Sequence, residues 1–246
     1  MKQLLISGAL GRMGRMITQE AARHGFAVCA GVDRAADASG AYPVYAGFDA
    51  VREVAEVVID FSSPKALEGL LAFASARRLP CVLGTTGYSP QDLAAIQAAA
   101  AQIPIFQSPN MSRGVYVLKQ LAAQAARMLL GYDIEIVEKH HNQKADSPSG
   151  TALALYEAVR RPGSLPTHGR QGASSLRQAD EIGLHAVRGG TVAGEHEVGF
   201  YGQNELILLT HSAQSRQVFA SGALAAAAWL MGQAPGLYHM AHWMGD

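Results

Sequence analysis

Cysteine, charge and long apolar runs are all scarce in this chain. Two cysteines, Cys29 and Cys81, stand among 246 residues. That is too few for a disulfide framework, and both lie in apolar runs that predict core strands, where cysteine packs as a small hydrophobe. Charged residues make up 16% of the sequence, and Lys+Arg and Asp+Glu balance at 20 each. A neutral chain has no overall field to draw in nucleic acid or an anionic membrane, so neither is expected as a partner. The apolar run in "MKQLLISGALGRMG" is about five residues, against roughly 7–15 for a secretory signal core. "ALAAAAWLMG" falls far short of the ~20 residues that span a bilayer. A soluble, cytoplasmic protein is the expectation. What is plentiful is apolar: 49% of the chain is hydrophobic, enough to bury a sizeable core and the opposite of a disordered composition.

The first half alternates short apolar runs with helical patterns. "QLLIS", "FAVCAGV", "VVIDFS", "PCVLGTT" and "IPIFQS" predict five buried strands. "RMGRMITQEAARHG" sets Met13, Met16, Ile17 and Ala21 at helical spacing, with Gly25 as a stop. Ser63–Pro64 and Ser89–Pro90 predict the starts of two further helices. This order predicts an α/β domain with a parallel sheet covered on both faces. A long helical pattern from Val115 to Leu129 follows. Beyond it, "YDIEIVEKH", "EIGLHAVR", "GGTVAGEHEVGFYG" and "ELILLTH" predict strands, with one clear helix, "GTALALYEAVR". That predicts a smaller α+β domain on an antiparallel or mixed sheet. "RPGSLPTHGRQGASS" predicts a mobile surface loop. The closing helix, "RQVFASGALAAAAWLMG", returns to the first domain. The domains are therefore expected at 1–112 with 216–246, and at 113–215.

"SGALGRMGR" follows the first strand and opens the first helix. Gly8, Gly11 and Gly14 allow a tight turn and close approach of a pyrophosphate to the backbone, at the positive end of the helix. Ala9 stands where the first glycine of G-x-G-x-x-G would fall, so Gly8, Ala9, Leu10, Gly11, Arg12 and Met13 form a departure from that pattern. Asp33 follows the end of the second strand at Val32, about twenty residues beyond the loop, where an acid accepts hydrogen bonds from an adenosine ribose. Arg34 beside it could pair with a 2′-phosphate. The pair points to a dinucleotide, NADH or NADPH, with both tolerated. Two turns fall at the carboxyl ends of parallel strands, where open α/β sheets bind ligands. One carries Gly84, Thr85 and Thr86, the other Ser108, Pro109, Asn110 and Met111. Thr85, Thr86 and Asn110 offer polar groups to a nicotinamide or its ribose, and each reads equally well as an ordinary turn residue.

"EKHHNQKADSPSGTA" collects the remaining chemistry. On an extended strand His140 and His141 point to opposite faces. One can face a reacting atom while the other contacts a different part of the ligand. Ser149 is a candidate helix N-cap, and the amides of Gly150 and Thr151 lie at the helix's positive end, a site for a carboxylate. Lys144 adds a cation. Imidazole titrates near neutral pH and can give or take a proton. Metal binding is disfavoured, because adjacent strand residues diverge and no third ligand has sensible spacing. His185, His196 and His211 sit in strand patterns and read better as structural histidines than as catalytic ones.

With these motifs in view, the chain resembles the 4-hydroxy-tetrahydrodipicolinate (dihydrodipicolinate) reductases. The match rests on Glu138, His140, His141, Lys144 and Pro148–Thr151, on Gly11–Gly14, on Gly84–Gly87 and on Gly194–His196. The resemblance implies a Rossmann-like nucleotide domain and a smaller domain that binds substrate and builds homotetramers. It implies hydride transfer from NADH or NADPH to a cyclic dicarboxylate in lysine and diaminopimelate synthesis. His140 is then the proton donor, His141 a substrate contact, and Lys144, Gly150 and Thr151 the carboxylate clamp, with Ser149 beside them. Lys144 could also assist protonation. A proline and an arginine in "SPNMSRGV" depart from the family pattern and leave Ser108 and Pro109 with backbone contacts only. Two other readings stay open at this stage: another two-domain NAD(P)-dependent oxidoreductase, and an NAD(P)-sensing regulator without turnover.

Overall fold

Runs of β-branched and aliphatic residues too short to make stable helices become the strands of the first unit. In the computed structural model, which describes residues 1–173 and 175–245, that unit starts with β1 (Lys2–Ser7), α1 (Arg12–Ala21), β2 (Phe26–Val32), β3 (Val44–Tyr45) and β4 (Val57–Asp60). It continues through α2 (Leu67–Arg77), β5 (Cys81–Leu83), α3 (Pro90–Ala100) and β6 (Pro104–Gln107). Ser89 forms the full capping box expected of it: its hydroxyl accepts from the Asp92 amide, and the Asp92 carboxylate accepts from the Ser89 amide. Ser63 differs. It precedes a single 3-10 turn, its side chain makes no cap bond, and α2 starts only at Leu67.

The second unit runs from Ser112 to Arg216. It holds α4 (Arg113–Met128), β7 (Asp133–His140), α5 (Gly150–Val159), β8 (Leu165–His168), β9 (Glu181–Arg188), β10 (Gly194–Gly202) and β11 (Glu205–Ala213). The chain then rejoins the first unit with α6 (Gln217–Leu230), β12 (Gly236–Tyr238) and α7 (Met240–Met244).

The first sheet has seven strands in the order β12-β6-β5-β4-β1-β2-β3, and each neighbouring pair is parallel. The order reverses between β1 and β4, the switch point of a Rossmann-like sheet. The five expected strands form its centre. β3 and β12, at the two edges, escape the sequence because two or three residues show no period. Leu5, Val58, Leu70, Leu83, Ile96 and Ile105 belong to the core packed on this sheet. Cys81 is fully buried there, and burial pushes its thiol well up, as suits an inert core residue.

The second sheet is mixed, in the order β11-β10-β7-β9-β8. β7 pairs antiparallel with β10 and parallel with β9. Ile134 and Ile136 alternate inward on β7 and join Leu155, Leu184, Val198 and Phe200 in its core. Part of the expected mobile loop is ordered: β8 pairs parallel with β9. Arg170 from the same segment and Arg177 just beyond it pair with Glu135 on the outward face of β7. Ser174, also in that segment, lies outside the described residues. Among the described residues no helix is long and apolar enough to cross a membrane. Nor does any group of His, Cys, Asp and Glu among them form a metal cluster.

Candidate active site

In the first unit the carboxyl ends of β1 and β2 meet the start of α1. Gly8 adopts φ 81°, a left-handed conformation that glycine reaches without strain. Its amide donates to the Val32 carbonyl at 2.8 Å, and the Gly11 amide donates to the Gly8 carbonyl at 3.1 Å. A Cβ on Gly14 would lie 2.2 Å from the Gly8 carbonyl oxygen, so the helix can lie against its own loop only with glycine there. Ala9 is accommodated from the other side: a Cβ on Gly31 of β2 would lie 2.6 Å from the Ala9 methyl, so the missing side chain on Gly31 makes room for Ala9. Three helices begin on serines whose hydroxyls cap them: Ser89, Ser112 and Ser149. α1 begins on Gly11 with no side-chain cap and no acid in its first turn. Its leading amides and dipole therefore face a concave turn.

The Asp33 carboxylate bridges the loop and the strand. Its Oδ2 accepts from the Leu10 amide at 2.9 Å and its Oδ1 from the Arg34 amide at 2.7 Å. Arg12 and Arg34 are exposed, and Met13 and Leu10 are half-buried. The turn after β5 is organised by a residue the sequence did not single out. Asp60, buried at the end of β4, accepts from the Ser62 hydroxyl at 2.5 Å and from Thr85 Oγ1 at 2.6 Å. The Thr85 hydroxyl is thus engaged within the protein, while Thr86 is exposed. Gly84 lies against the Phe61 ring, which a Cβ would meet at 2.3 Å. Ser108 Oγ donates to the Asn110 carbonyl at 2.7 Å, which holds the turn Ser108–Pro109–Asn110. Met111 is 1% exposed, so its side chain is core and only its main chain is available to a ligand.

In the second unit β7 ends at His140, and His141 lies in the following loop. The expectation of two histidines on opposite faces of one strand is corrected here. The His141 amide donates to the Val192 carbonyl at 2.8 Å rather than to a ladder partner, which turns the chain out of the sheet. His141 Nδ1 accepts from the Gln143 amide at 3.1 Å, and Nε2 lies 2.6 Å from Arg216 Nη2. Ile134, Ile136, Glu138 and His140 alternate onto the buried face of β7.

His140 Nδ1 lies 2.5 Å from Glu138 Oε2. Arg188 on β9 grips the same carboxylate with both terminal nitrogens, at 2.8 and 2.7 Å. Burial works to raise the Glu138 carboxyl, but Arg188, His140 and the Ser149 amide outweigh it and hold it below its usual value. Burial lowers the His140 ring, with Glu138 pulling the other way. Burial also pushes His196 down to about 4, so it is neutral near pH 7. Its ring packs edge-on to His140 at 5.1 Å between centroids.

Ser149 caps α5 by accepting from the Ala152 amide at 3.1 Å. Its amide donates to Glu138 at 3.0 Å, and its hydroxyl lies 3.0 Å from His196 Nε2. Its polar atoms are thus engaged internally. Gly150 is exposed, and a Cβ there would meet nothing within 4 Å, so the leading end of α5 is open. Lys144 Nζ pairs with both oxygens of Asp146, at 2.8 and 2.9 Å. This hydrogen-bonded pair holds the Asp146 carboxyl below its usual value. Arg188 and Asp146, which the sequence did not single out, thus join the expected residues, and Glu138 and His196, met there only as parts of the family match, take places in the cluster. Arg188 comes from a strand fifty residues away from Glu138, and no local spacing points to it.

Residues 2–111 match the family described as dihydrodipicolinate reductase, N-terminus, and residues 114–244 match its C-terminus. The chain is 48% identical to the 4-hydroxy-tetrahydrodipicolinate reductase of Caldanaerobacter subterraneus subsp. tengcongensis, with 98% of this chain and 97% of that protein covered. It is 43% identical to the protein of the same name from Clostridium novyi, over 98% and 97% of the two chains. Among solved structures it resembles a dipicolinate-bound dihydrodipicolinate reductase from Paenisporosarcina, with a TM-score of 0.79, 24% identity and 97% of each chain covered. A myo-inositol dehydrogenase from Corynebacterium glutamicum shares the fold at a TM-score of 0.58 and 14% identity, over 96% and 90% of the two chains.

Proposed function

The chain belongs to the dihydrodipicolinate reductase family, and from that premise we propose the following account of its activity. It reduces 4-hydroxy-tetrahydrodipicolinate, by way of dihydrodipicolinate, to tetrahydrodipicolinate in lysine and diaminopimelate synthesis. The observation that carries the site assignment is the buried Glu138–His140 pair beside the open leading end of α5. It combines a proton-bearing ring with a place for a carboxylate.

The first unit fits a nicotinamide dinucleotide. The cradle formed by Gly8, Gly11 and Gly14, with the uncapped start of α1, suits a pyrophosphate. Asp33 suits the adenosine ribose, and exposed Arg34 suits a 2′-phosphate, so both NADH and NADPH serve. The main chain at Gly84–Thr86 and Ser108–Met111 lines the nicotinamide end. When bound, the cofactor supplies hydride.

The protein's own residues do the rest. Gly150 and Thr151 offer amides to one substrate carboxylate, and Lys144 leaves Asp146 to pair with the substrate. His141 contacts the ring. His140 delivers a proton from Nε2 to the carbon adjacent to the one that is reduced. The enzyme works in the cytoplasm, where the nicotinamide pool is. β11 is an edge strand with Leu206, Ile207 and Leu208 exposed, which supports assembly of a homotetramer through the second unit.

The test is NAD(P)H oxidation followed by absorbance, with substrate formed in situ from pyruvate and aspartate semialdehyde. Turnover that depends on both precursors is expected, and His140→Gln should lower kcat by roughly 10²-fold. Cofactor binding without turnover would refute the activity.

A further inference from the structure

A carboxylate is seldom sealed inside a protein unless it is paired. Glu138 is 1% exposed, and four donors surround its two oxygens. Oε1 accepts from the Ser149 amide and Arg188 Nη2, and Oε2 accepts from Arg188 Nη1 and His140 Nδ1. Arg188 also donates to the Asp146 carbonyl at 2.8 Å, so the group is tied to the loop that carries Lys144. An ionised carboxylate only accepts hydrogen bonds, so Nδ1 of His140 must carry the hydrogen. Proton exchange is then left to Nε2. Across from it stands Gly194 of β10, where an added Cβ would lie 3.0 Å from Nε2.

We propose that Glu138, anchored by Arg188, is a positioning residue for the proton transfer: it fixes the orientation and tautomer of His140 so that Nε2 faces the substrate, and the missing side chain of Gly194 keeps that nitrogen uncovered. This rests on the reading of His140 as proton donor. The titratable or charged groups that face His140 are Glu138 on its own strand, Arg188 on β9, His196 on β10 and Lys144 on the next loop. Glu138 is the one anion among these four. It is therefore the group that favours imidazolium, against burial and the two cations. In the step, the Nε2–H bond breaks and a C–H bond forms on the substrate carbon next to the hydride acceptor. The N–H electron pair stays on Nε2, and the ring is left neutral with Nδ1–H still bonded to Glu138.

The first test is kinetic. Glu138→Gln should lower kcat about 10- to 100-fold and leave the substrate KM within about threefold. It should also move the high-pH limb of kcat to lower pH, because the imidazolium loses its counter-charge. Glu138→Asp should restore part of both kcat and the limb. An unchanged kcat, or a lower kcat with an unmoved limb, would overturn the assignment. Gly194→Ala should lower kcat at least roughly tenfold with the His140 tautomer unchanged, and full activity there would remove Gly194 from it.

The second test needs no Glu138 variant. In 15N-histidine spectra of the wild-type protein, with His140 identified by its loss in His140→Gln, Nδ1 should be protonated and Nε2 should titrate. A neutral ring protonated at Nε2 would overturn the proposal. The tautomer is read without turnover, so an inactive wild-type protein would sink the reductase reading and not this one.

Discussion

Arg188→Ala tests how much the second unit depends on one buried ion pair. The substitution strips the bidentate cation from Glu138, whose side chain is 1% exposed against 20% for Arg188. Breaking a buried pair by removing one partner typically costs 3–5 kcal/mol, because a charge is left uncompensated. The Ser149 amide and His140 remain on the carboxylate, and Arg188 is partly solvated, so the lower end applies: about 3 kcal/mol. For a unit of this size that lowers the melting midpoint by on the order of 10–20 °C. Both tryptophans, Trp229 and Trp243, lie beyond Gln217 and so belong to the first unit. Tryptophan fluorescence then reports the first unit, while calorimetry reports both. The expected result is a large downward move of one calorimetric transition with the fluorescence transition in place. A move below about 4 °C would mean the pair contributes no more than an exposed ion pair does, and the reasoning from burial would fail. Kinetics give a second sign. Arg188 opposes protonation of His140, so its removal should shift the high-pH limb of kcat upward, opposite to Glu138→Gln.

Three further outcomes are expected. His196 has a folded pKa of about 4, below the ordinary value near 6.5, so between those values the unfolded chain binds more protons and acidification destabilises the fold. The wild-type second unit should lose about 3 kcal/mol from this residue between pH 7 and 4. His196→Gln should flatten the dependence in urea titrations, and an unaltered slope would refute it. Asp146 is 61% exposed, so its pair with Lys144 contributes at most about 1 kcal/mol. Asp146→Ala should lower the substrate KM by up to about fivefold, whereas a rise would mean that Asp146 holds Lys144 in its working position. Replacing Leu206 and Leu208 with Asp should give a smaller species in sedimentation, and an unchanged mass would exclude the β11 face from assembly.

The parts legible in sequence were those set by local chemistry. The glycine spacing announced the tight turn between β1 and α1, which Asp33 ties to β2 through the Leu10 amide, and Ser89 announced its helix. Ile134 and Ile136 gave the phase of β7, which carries Glu138 and His140 to the same buried face. What local pattern could not give was pairing at a distance. Arg188 reaches Glu138 only because β9 lies beside β7, and His196 reaches Ser149 only because β10 lies on the other side. The break after His140 was missed because its cause, the Val192 carbonyl, is also remote. β8 escaped because proline and glycine surround it and its partner strand comes later in the chain.

The discontinuity of the first unit bears on how the protein is made. Its chain leaves at Met111 and returns at Gln217 with α6, whose Ala220, Ala223, Leu224, Ala227 and Leu230 are fully buried. A ribosome releases the whole of Ser112–Arg216 before that helix exists. The later-starting unit can therefore finish folding first, reversing the usual N-to-C order. Until the last segment emerges, the nascent sheet lacks α6 and exposes apolar surface that chaperones would recognise. Truncation before Gln217 should accordingly produce an aggregating first unit attached to a sound second one.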